Sequence, residues 1–180
     1  MRKLKTWNML SLDGFFEGPS KGEIEWFVFD DELEKFILDT QLNAGTLLFG
    51  RVTYEMMAGY WPTADGAIAD FMNSVPKVVF SRTLDKTDWN NTTLVKDNAV
   101  AEVQRLKEQP GNDIFVFGSA DFSQTLMQNA LIDEYHFGIN PVVIGKGVPW
   151  FKGGYATMGM ELFDSKRLKS GLILLFYRPR

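Results

Sequence analysis

Three short apolar runs constrain the fold of this 180-residue chain more than any other feature. TLLFG (46–50), KVVFS (77–81) and DIFVFGS (113–119) each end on glycine or serine just before a more polar stretch. A strand with one wet face alternates apolar and polar residues. A continuous apolar run instead fits a strand covered on both faces, as in a parallel sheet. Helical patterns separate the runs. Leu33, Phe36, Ile37 and Thr40 fall at i, i+3, i+4 and i+7, after a start near Asp30–Asp31 with Glu34 in capping-box position to Asp31, and Asn43-Ala44-Gly45 supplies the stop. RVTYEMMAGY follows TLLFG as a second helix. Asn98 caps a third that runs to Lys107, with Val100, Val103 and Leu106 inward. ADFSQTLMQNALI is a fourth, with Phe122, Leu126, Met127 and Ala130 on one face. Residues 61–75 read as irregular or partly helical, and residues 3–11 and 92–96 as further strands. The last fifty residues (EYHFGINPVVIGKG, MGMELFDSKRLKS, GLILLFYRPR) read as strands joined by turns. Alternating strands and helices followed by strands alone predict an α/β fold. It has a mostly parallel central sheet, helices on both faces and antiparallel C-terminal strands at an edge.

Composition narrows the function classes. Residues 1–180 fit one domain, with 15 Phe and 5 Trp to fill its core and too much apolar character for disorder. Cysteine is absent, which excludes disulfides, a thiolate nucleophile and a Cys-based zinc site. The single histidine, His136, lies in a strand pattern and reads as a sheet residue, so no metal site is expected. A net charge of −4 and a pI near 5.1 speak against nucleic-acid binding. No apolar run approaches the ~18 residues of a membrane span, and no secretory leader pattern is present, so a cytoplasmic protein is expected.

The chemistry gathers at strand ends. LLFGRVTYEMM and IFVFGSADFSQTLM each run from a buried strand through glycine into a polar helix start. In open α/β sheets ligands bind beyond the carboxyl ends of the strands. Glycine there lets backbone approach a ligand, and a helix start offers unpaired N–H groups to a phosphate. Arg51, Thr53 and Ser119 add side-chain donors, and a pair of such junctions suits the pyrophosphate of a dinucleotide. Ser81-Arg82 sits past a third strand end, where arginine suits a phosphate. The plainer alternatives are ordinary helix caps and a solvated turn arginine. The loop 12–25 holds three glycines and a proline and has the length of a lid or binding segment. Trp26, Phe27 and Phe29 either line a pocket or pack under their own loop, and Trp61-Pro62 shapes the 59–66 connection. Asp13, at a strand end beside Gly14, is a candidate acid or a turn residue.

The segments FGRVTYE, VVFSRTL and IFVFGSADFSQTLMQNALIDEYHFGINPVVIGKG resemble the dihydrofolate-reductase-like superfamily. The closer resemblance is to the reductase domain of the riboflavin-biosynthesis protein RibD and its stand-alone relatives, and MLSLDGFFEG is similar to that group's S-x-D-G segment. The resemblance runs in order from about residue 4 to about 177. It implies a three-layer fold and a nicotinamide cofactor, usually NADPH. Gly50, Arg51, Val52 and Thr53 match the segment at the cofactor phosphates, Ser81 and Arg82 the 2′-phosphate segment, and Gly118, Ser119, Ala120 and Asp121 the turn beside pyrophosphate and nicotinamide. Leu12, Asp13 and Gly14 match the segment over nicotinamide and substrate, with Trp26 a further substrate candidate. Dihydrofolate reductases carry Gly-Gly where this chain has Gly118-Ser119, which makes folate reduction the weaker match. They also place a carboxylate on the first helix. Asp30, Asp31, Glu32 and Glu34 crowd that region, and Asp31 and Asp13 are the proton-donor candidates, though acids also favour a first helical turn for the dipole.

The resemblance thus implies an NADPH-dependent reductase acting on a small heterocycle, similar to 5-amino-6-(5-phosphoribosylamino)uracil reductase. The alternatives are a dihydrofolate or pteridine reductase and a non-catalytic dinucleotide-binding protein of the same fold. No H-x-E or P-C-x-x-C deaminase signature is present. Because GLILLFYRPR is too apolar for an exposed edge strand, and relatives of this type are often dimers, a C2 homodimer through the C-terminal strands is expected.

Overall fold

The apolar runs become strands because both of their faces are covered. The computed structural model describes residues 1–40 and 42–180. Its elements in order are β1 (Leu4–Leu10), β2 (Phe15–Glu17), α1 (Asp31–Thr40), β3 (Thr46–Gly50), α2 (Arg51–Tyr60), α3 (Ala67–Ser74), β4 (Lys77–Phe80), β5 (Thr92–Val95), α4 (Ala99–Glu108), β6 (Ile114–Phe117), α5 (Ala120–Gln128), β7 (Glu134–Ile139), β8 (Val148–Pro149), β9 (Met160–Arg167) and β10 (Ile173–Pro179). Eight strands form one sheet in the order β5-β4-β3-β6-β1-β7-β10-β9. The strands from β5 to β7 run parallel, and β10 and β9 are antiparallel. β2 and β8 make a separate antiparallel pair. The expected mixed α/β architecture is the one observed.

Alternation along each strand divides the core in two. Leu4, Leu10, Leu48, Val78, Ile114 and Val116 pack with α4 and α5 on one face. Trp7, Leu47, Phe49, Val79 and Phe115 pack with α1, α2 and α3 on the other. Leu47, Leu48 and Phe49 are fully buried, and each such side chain stabilises the fold by about 1.5–3 kcal/mol.

Three local expectations change. The cap of α1 is Asp30, whose Oδ1 accepts the Leu33 N–H at 2.8 Å, so Asp31 is the first helical residue and no capping box forms around it. Residues 61–75 are partly helical, as expected, with a 3₁₀ turn at Trp61–Thr63 followed by α3. Ala130 lies beyond α5, exposed and with positive φ. The apolar β10 is no edge strand: it pairs β7 on one side and β9 on the other. The edge is β9, whose residues from Phe163 to Arg167 are exposed and include Asp164, Lys166 and Arg167, charge being one way an open edge resists further pairing.

Lys77 is 1 % exposed at the start of β4. Its Nζ donates to the carbonyls of Met72 and Val75, each at 2.8 Å, and lies 4.5 Å from the Trp89 ring centroid. It thereby satisfies carbonyls at the end of α3 that have no helical partner. Burial pulls its pKa down from 10.5 to about 8. Between those values the unfolded chain holds a proton that the folded chain has lost, so this residue makes stability rise with pH across that window. Urea unfolding at pH 7.5 and pH 10 should show that Lys77→Met costs about 1–3 kcal/mol at the lower pH and removes this contribution to the rise. An identical pH dependence in the variant would exclude Lys77 as its source.

Candidate functional site

Parallel pairing of β3 with β6 sets Leu48 beside Val116, which brings the carboxyl ends of both strands together. The turn at Gly50 and the turn at Gly118 therefore abut. A Cβ added at Gly50 would collide with Ser119 Oγ and lie 3.0 Å from Ser119 Cβ. One added at Gly118 would meet Thr53 and Phe16 at 3.0 Å. Neighbouring atoms favour glycine at both places, and at Gly118 the left-handed backbone, φ 58°, favours it as well.

The helices that begin here leave their first N–H groups without a side-chain cap. Gly50 precedes α2, Ser119 precedes α5 and Asn98 precedes α4, and none makes a capping hydrogen bond through its side chain. Ser119 and Asn98 sit at the predicted cap positions but take left-handed φ values of 56° and 53°, whereas a capping residue is ordinarily extended. Gly118 is also left-handed, at 58°. A non-glycine residue there costs about 1–3 kcal/mol, and such strain concentrates at functional sites. Uncapped helix starts and closely approaching turns make a backbone cradle suited to an anion.

The other predicted cofactor residues take varied positions. Thr53 is buried against Gly118, Val52 is exposed, and Ala120 is buried at the first turn of α5. Arg51 Nη1 donates along its own helix to Glu55 Oε1 at 2.8 Å, and Asp121 pairs with Lys152 at 2.6 Å. Ser81 and Arg82 line a groove of about 170 Å³ beyond the ends of β4 and β5, together with Lys96, Asp97 and Asn98. The Ser81 hydroxyl oxygen accepts the N–H groups of Thr83 at 3.2 Å and Leu84 at 3.0 Å, which shapes the turn that presents Arg82.

An apolar cleft of about 180 Å³ opens on the opposite face of the sheet from α5. Trp7 and Met9 of β1 and Phe117 of β6 form its floor, Leu33 and Ile37 of α1 one wall, and residues between Met57 and Met72 the other. Phe27, Val28 and Phe29 complete it. Asn140, fully buried at the end of β7, holds this last segment. Its Oδ1 accepts the Val28 N–H at 2.8 Å while its Nδ2 donates to the Leu10 carbonyl at 3.1 Å. Phe117 immediately precedes Gly118, so the cleft adjoins the cradle. A second hollow, of about 330 Å³, lies between the β2 segment and α2 and includes Phe16, Lys21 and Thr53.

The proton-donor candidates stand outside this cleft. Asp13 is exposed and holds the 140–147 loop, its Oδ2 accepting the Gly145 N–H at 2.8 Å. Hydrogen bonds from the Ser11 hydroxyl and from the Gly145 and Ile144 N–H groups hold its carboxyl below the usual range. Asp31 is exposed on the first turn of α1, while the residues that α1 turns to the cleft are Leu33 and Ile37. Leu12 is 65 % exposed, and Gly14, at φ 85°, makes the turn after β1. Trp26 packs edge-on against Phe27 with ring centroids 4.5 Å apart, outside the cleft that Phe27 lines. The loop 12–25 is tied down by the β2–β8 pair. The sequence reading missed Asn140, Lys96 and most of the cleft wall. Only the run of aromatics at 26–29 signalled that wall.

The family model of the RibD C-terminal domain matches residues 2–174. The chain belongs to the RibD C-terminal domain family. It is 31 % identical to the YyaP protein of Bacillus subtilis over 173 residues, covering 93 % of this chain and 90 % of that one. Among solved structures, a putative riboflavin biosynthesis protein from Shewanella sp. PV-4 superposes with a TM-score of 0.82 at 20 % identity, covering 99 % of both chains. Dihydrofolate reductase from Enterococcus faecalis, complexed with NADP(H) and RAB-propyl, superposes with a TM-score of 0.68 at 10 % identity, covering 99 % of this chain and 96 % of that one. The fold is thus of reductase type, shared by RibD-like and dihydrofolate-reductase-like proteins.

The contact between the two turns generates a double-mutant test. Gly50→Ala should cost about 1–3 kcal/mol through overpacking. In a Ser119→Gly background most of that cost should vanish, because the atoms a Cβ would strike are gone. Chemical denaturation of the four proteins in this cycle measures the coupling, and equal costs in both backgrounds would show that the two turns do not constrain each other.

Proposed function

We propose that this RibD C-terminal domain protein is an NADPH-dependent reductase that transfers a hydride to a small ring compound, with 5-amino-6-(5-phosphoribosylamino)uracil reductase as the nearest model activity. The observation that carries the reading is the cradle at Gly50 and Gly118, with a groove that holds Arg82 and Lys96 beside Asp97 on one side and an apolar cleft on the other. A dinucleotide fits that series. Its pyrophosphate would meet the N–H groups at the starts of α2 and α5, and its 2′-phosphate the groove of Arg82 and Lys96. Its nicotinamide would reach the mouth of the cleft beside Phe117 and Gly118. The absence of a side chain at Gly50 and Gly118, where the two turns abut, fits the close approach such a ligand needs.

When bound, the cofactor supplies the hydride, and the protein supplies position and exclusion of water. The segment Phe27–Phe29 and the helices α1 to α3 surround the cleft with apolar side chains, which keeps a bound ring dry. Neither Asp13 nor Asp31 lines the cleft, so water at the mouth is the proposed proton source.

Titration of NADPH and NADH by intrinsic tryptophan fluorescence tests cofactor choice. Wild type should prefer NADPH. Arg82→Ala should weaken NADPH binding by about ten- to a hundredfold, the worth of one charge-assisted hydrogen bond, and leave NADH nearly unchanged. Equal loss for both would place Arg82 outside the 2′-phosphate site, and a wild type that binds neither would overturn the reading.

A homodimer through the C-terminal strands belongs to the same proposal. Leu162 and Phe163 of β9 and Ile173 of β10 are each 41–47 % exposed, and these are the apolar side chains that a second copy would cover. Light scattering should give twice 20.5 kDa, falling toward the monomer for Phe163→Glu. A 20.5 kDa species in the wild type at micromolar concentration would refute the dimer.

A further inference from the structure

The cleft beside Gly118 has a chemistry of its own. Among the described residues no side chain that lines it carries a charge. The polar side-chain groups among them are the indole N–H groups of Trp7 and Trp61, and that of Trp61 already donates to Met57 Sδ at 3.1 Å. The wall positions on α1 are Leu33, 1 % exposed, and Ile37. The nearby carboxylates are committed elsewhere: Asp30 caps α1, and Glu32 accepts the Lys169 N–H at 2.8 Å. A phosphate, a carboxylate or a protonated amidine placed in this cleft would lose its water and gain no partner, which costs several kcal/mol for a group of that kind. An uncharged ring would lose little.

Size narrows the class further. A dry apolar cavity of about 150 Å³ lined by similar residues accepts benzene, and this cleft measures about 180 Å³. The floor is made of aromatic rings, Trp7 stacking on Phe36 at 5.9 Å and Phe117 on Phe49 at 6.3 Å, which favours a flat occupant. From these observations we infer that the cleft takes an uncharged, planar, conjugated ring carbonyl of one or two rings, and that this is the substrate class of the reductase. The inference rests on the reductase reading for the word substrate, while the chemistry of the cleft stands on its own lining. Reduction adds the cofactor's hydride to the ring system and one proton to the carbonyl oxygen. Among the described residues no acid lines the cleft, so that proton comes from solvent at the mouth. Conjugation matters for this reason: a delocalised ring tolerates the negative charge that appears before the proton arrives.

The test is calorimetric titration of the whole chain with 1,4-naphthoquinone, dihydrofolate and ribose 5-phosphate, each with and without NADPH. The absence of cysteine removes thiol addition to the quinone as a confounding reaction. Naphthoquinone should bind without NADPH and more tightly than either of the other two. Ile37→Phe fills the cleft without burying a charge and should weaken naphthoquinone at least tenfold while leaving the NADPH Kd within twofold. Leu33→Asp plants a carboxylate in the wall and should abolish quinone binding; if it does not fold, the Ile37 variant decides alone. Tighter binding of dihydrofolate or ribose 5-phosphate, or an unchanged naphthoquinone Kd in Ile37→Phe, would overturn the inference and leave the reductase reading intact. Naphthoquinone binding that Ile37→Phe weakens, in a protein that ignores NADPH, would support the cleft chemistry and overturn the reductase reading instead.

Discussion

The abutment of two turns, Gly50 against Ser119 and Gly118 against Thr53, is the constraint on which the site depends. It follows from strand order. β6 inserts between β3 and β1, so the chain must leave β5, cross the sheet through α4 and return beside a strand laid down much earlier. Once β6 is there, α2 and α5 begin side by side on the same edge. A larger residue at either glycine would push the two helix starts apart. The positive φ of Ser119 is the visible cost of holding them together, since serine tolerates that conformation less well than glycine.

The edge thereby separates two surfaces. On the cradle side lie helix starts without side-chain caps and a groove that holds Arg82, Lys96 and Asp97. The cleft is lined by apolar side chains from several elements. Asn140 braces the cleft, because one amide side chain pairs with both the Val28 N–H and the Leu10 carbonyl. The wall segment 27–29 is thus tied to the end of the strand that supplies the floor. An unpaired buried amide at this place would cost about 1–3 kcal/mol, enough to hold the segment in one position.

Much of this fold was legible in the sequence because the parallel strands are buried on both faces. TLLFG, KVVFS and DIFVFGS carry the pattern within a few residues, and the glycines that end two of them mark the cradle. Elements whose role depends on distant partners were harder to read. GLILLFYRPR is apolar because β7 and β9 flank it, yet nothing local reveals that a more polar strand shields it. The start of α1 shifted by one residue because Asp30 and Asp31 are both competent caps, and only the three-dimensional course of the chain selects the first. The cleft was nearly invisible: Trp7, Leu33, Met57 and Phe117 each look like core, and they become a wall only where the core is left unfilled.

The acids show most clearly why residue type alone misleads about catalysis. Asp30, Asp31, Glu32 and Glu34 cluster at the start of a helix, where the dipole and the unpaired N–H groups favour negative charge whatever the protein does. Asp13 stands beside a glycine at a strand end, the setting of many catalytic acids. Its carboxylate nonetheless accepts hydrogen bonds from Ser11, Gly145 and Ile144, which favour the ionised form and oppose proton donation at neutral pH. A donor of protons needs the reverse environment, one that penalises the charge. The cleft provides such an environment, but the side chains that α1 turns into it are Leu33 and Ile37. Under the proposed reduction the protein's contribution would be positioning and dryness, since among the described residues α1 places no acid in the cleft.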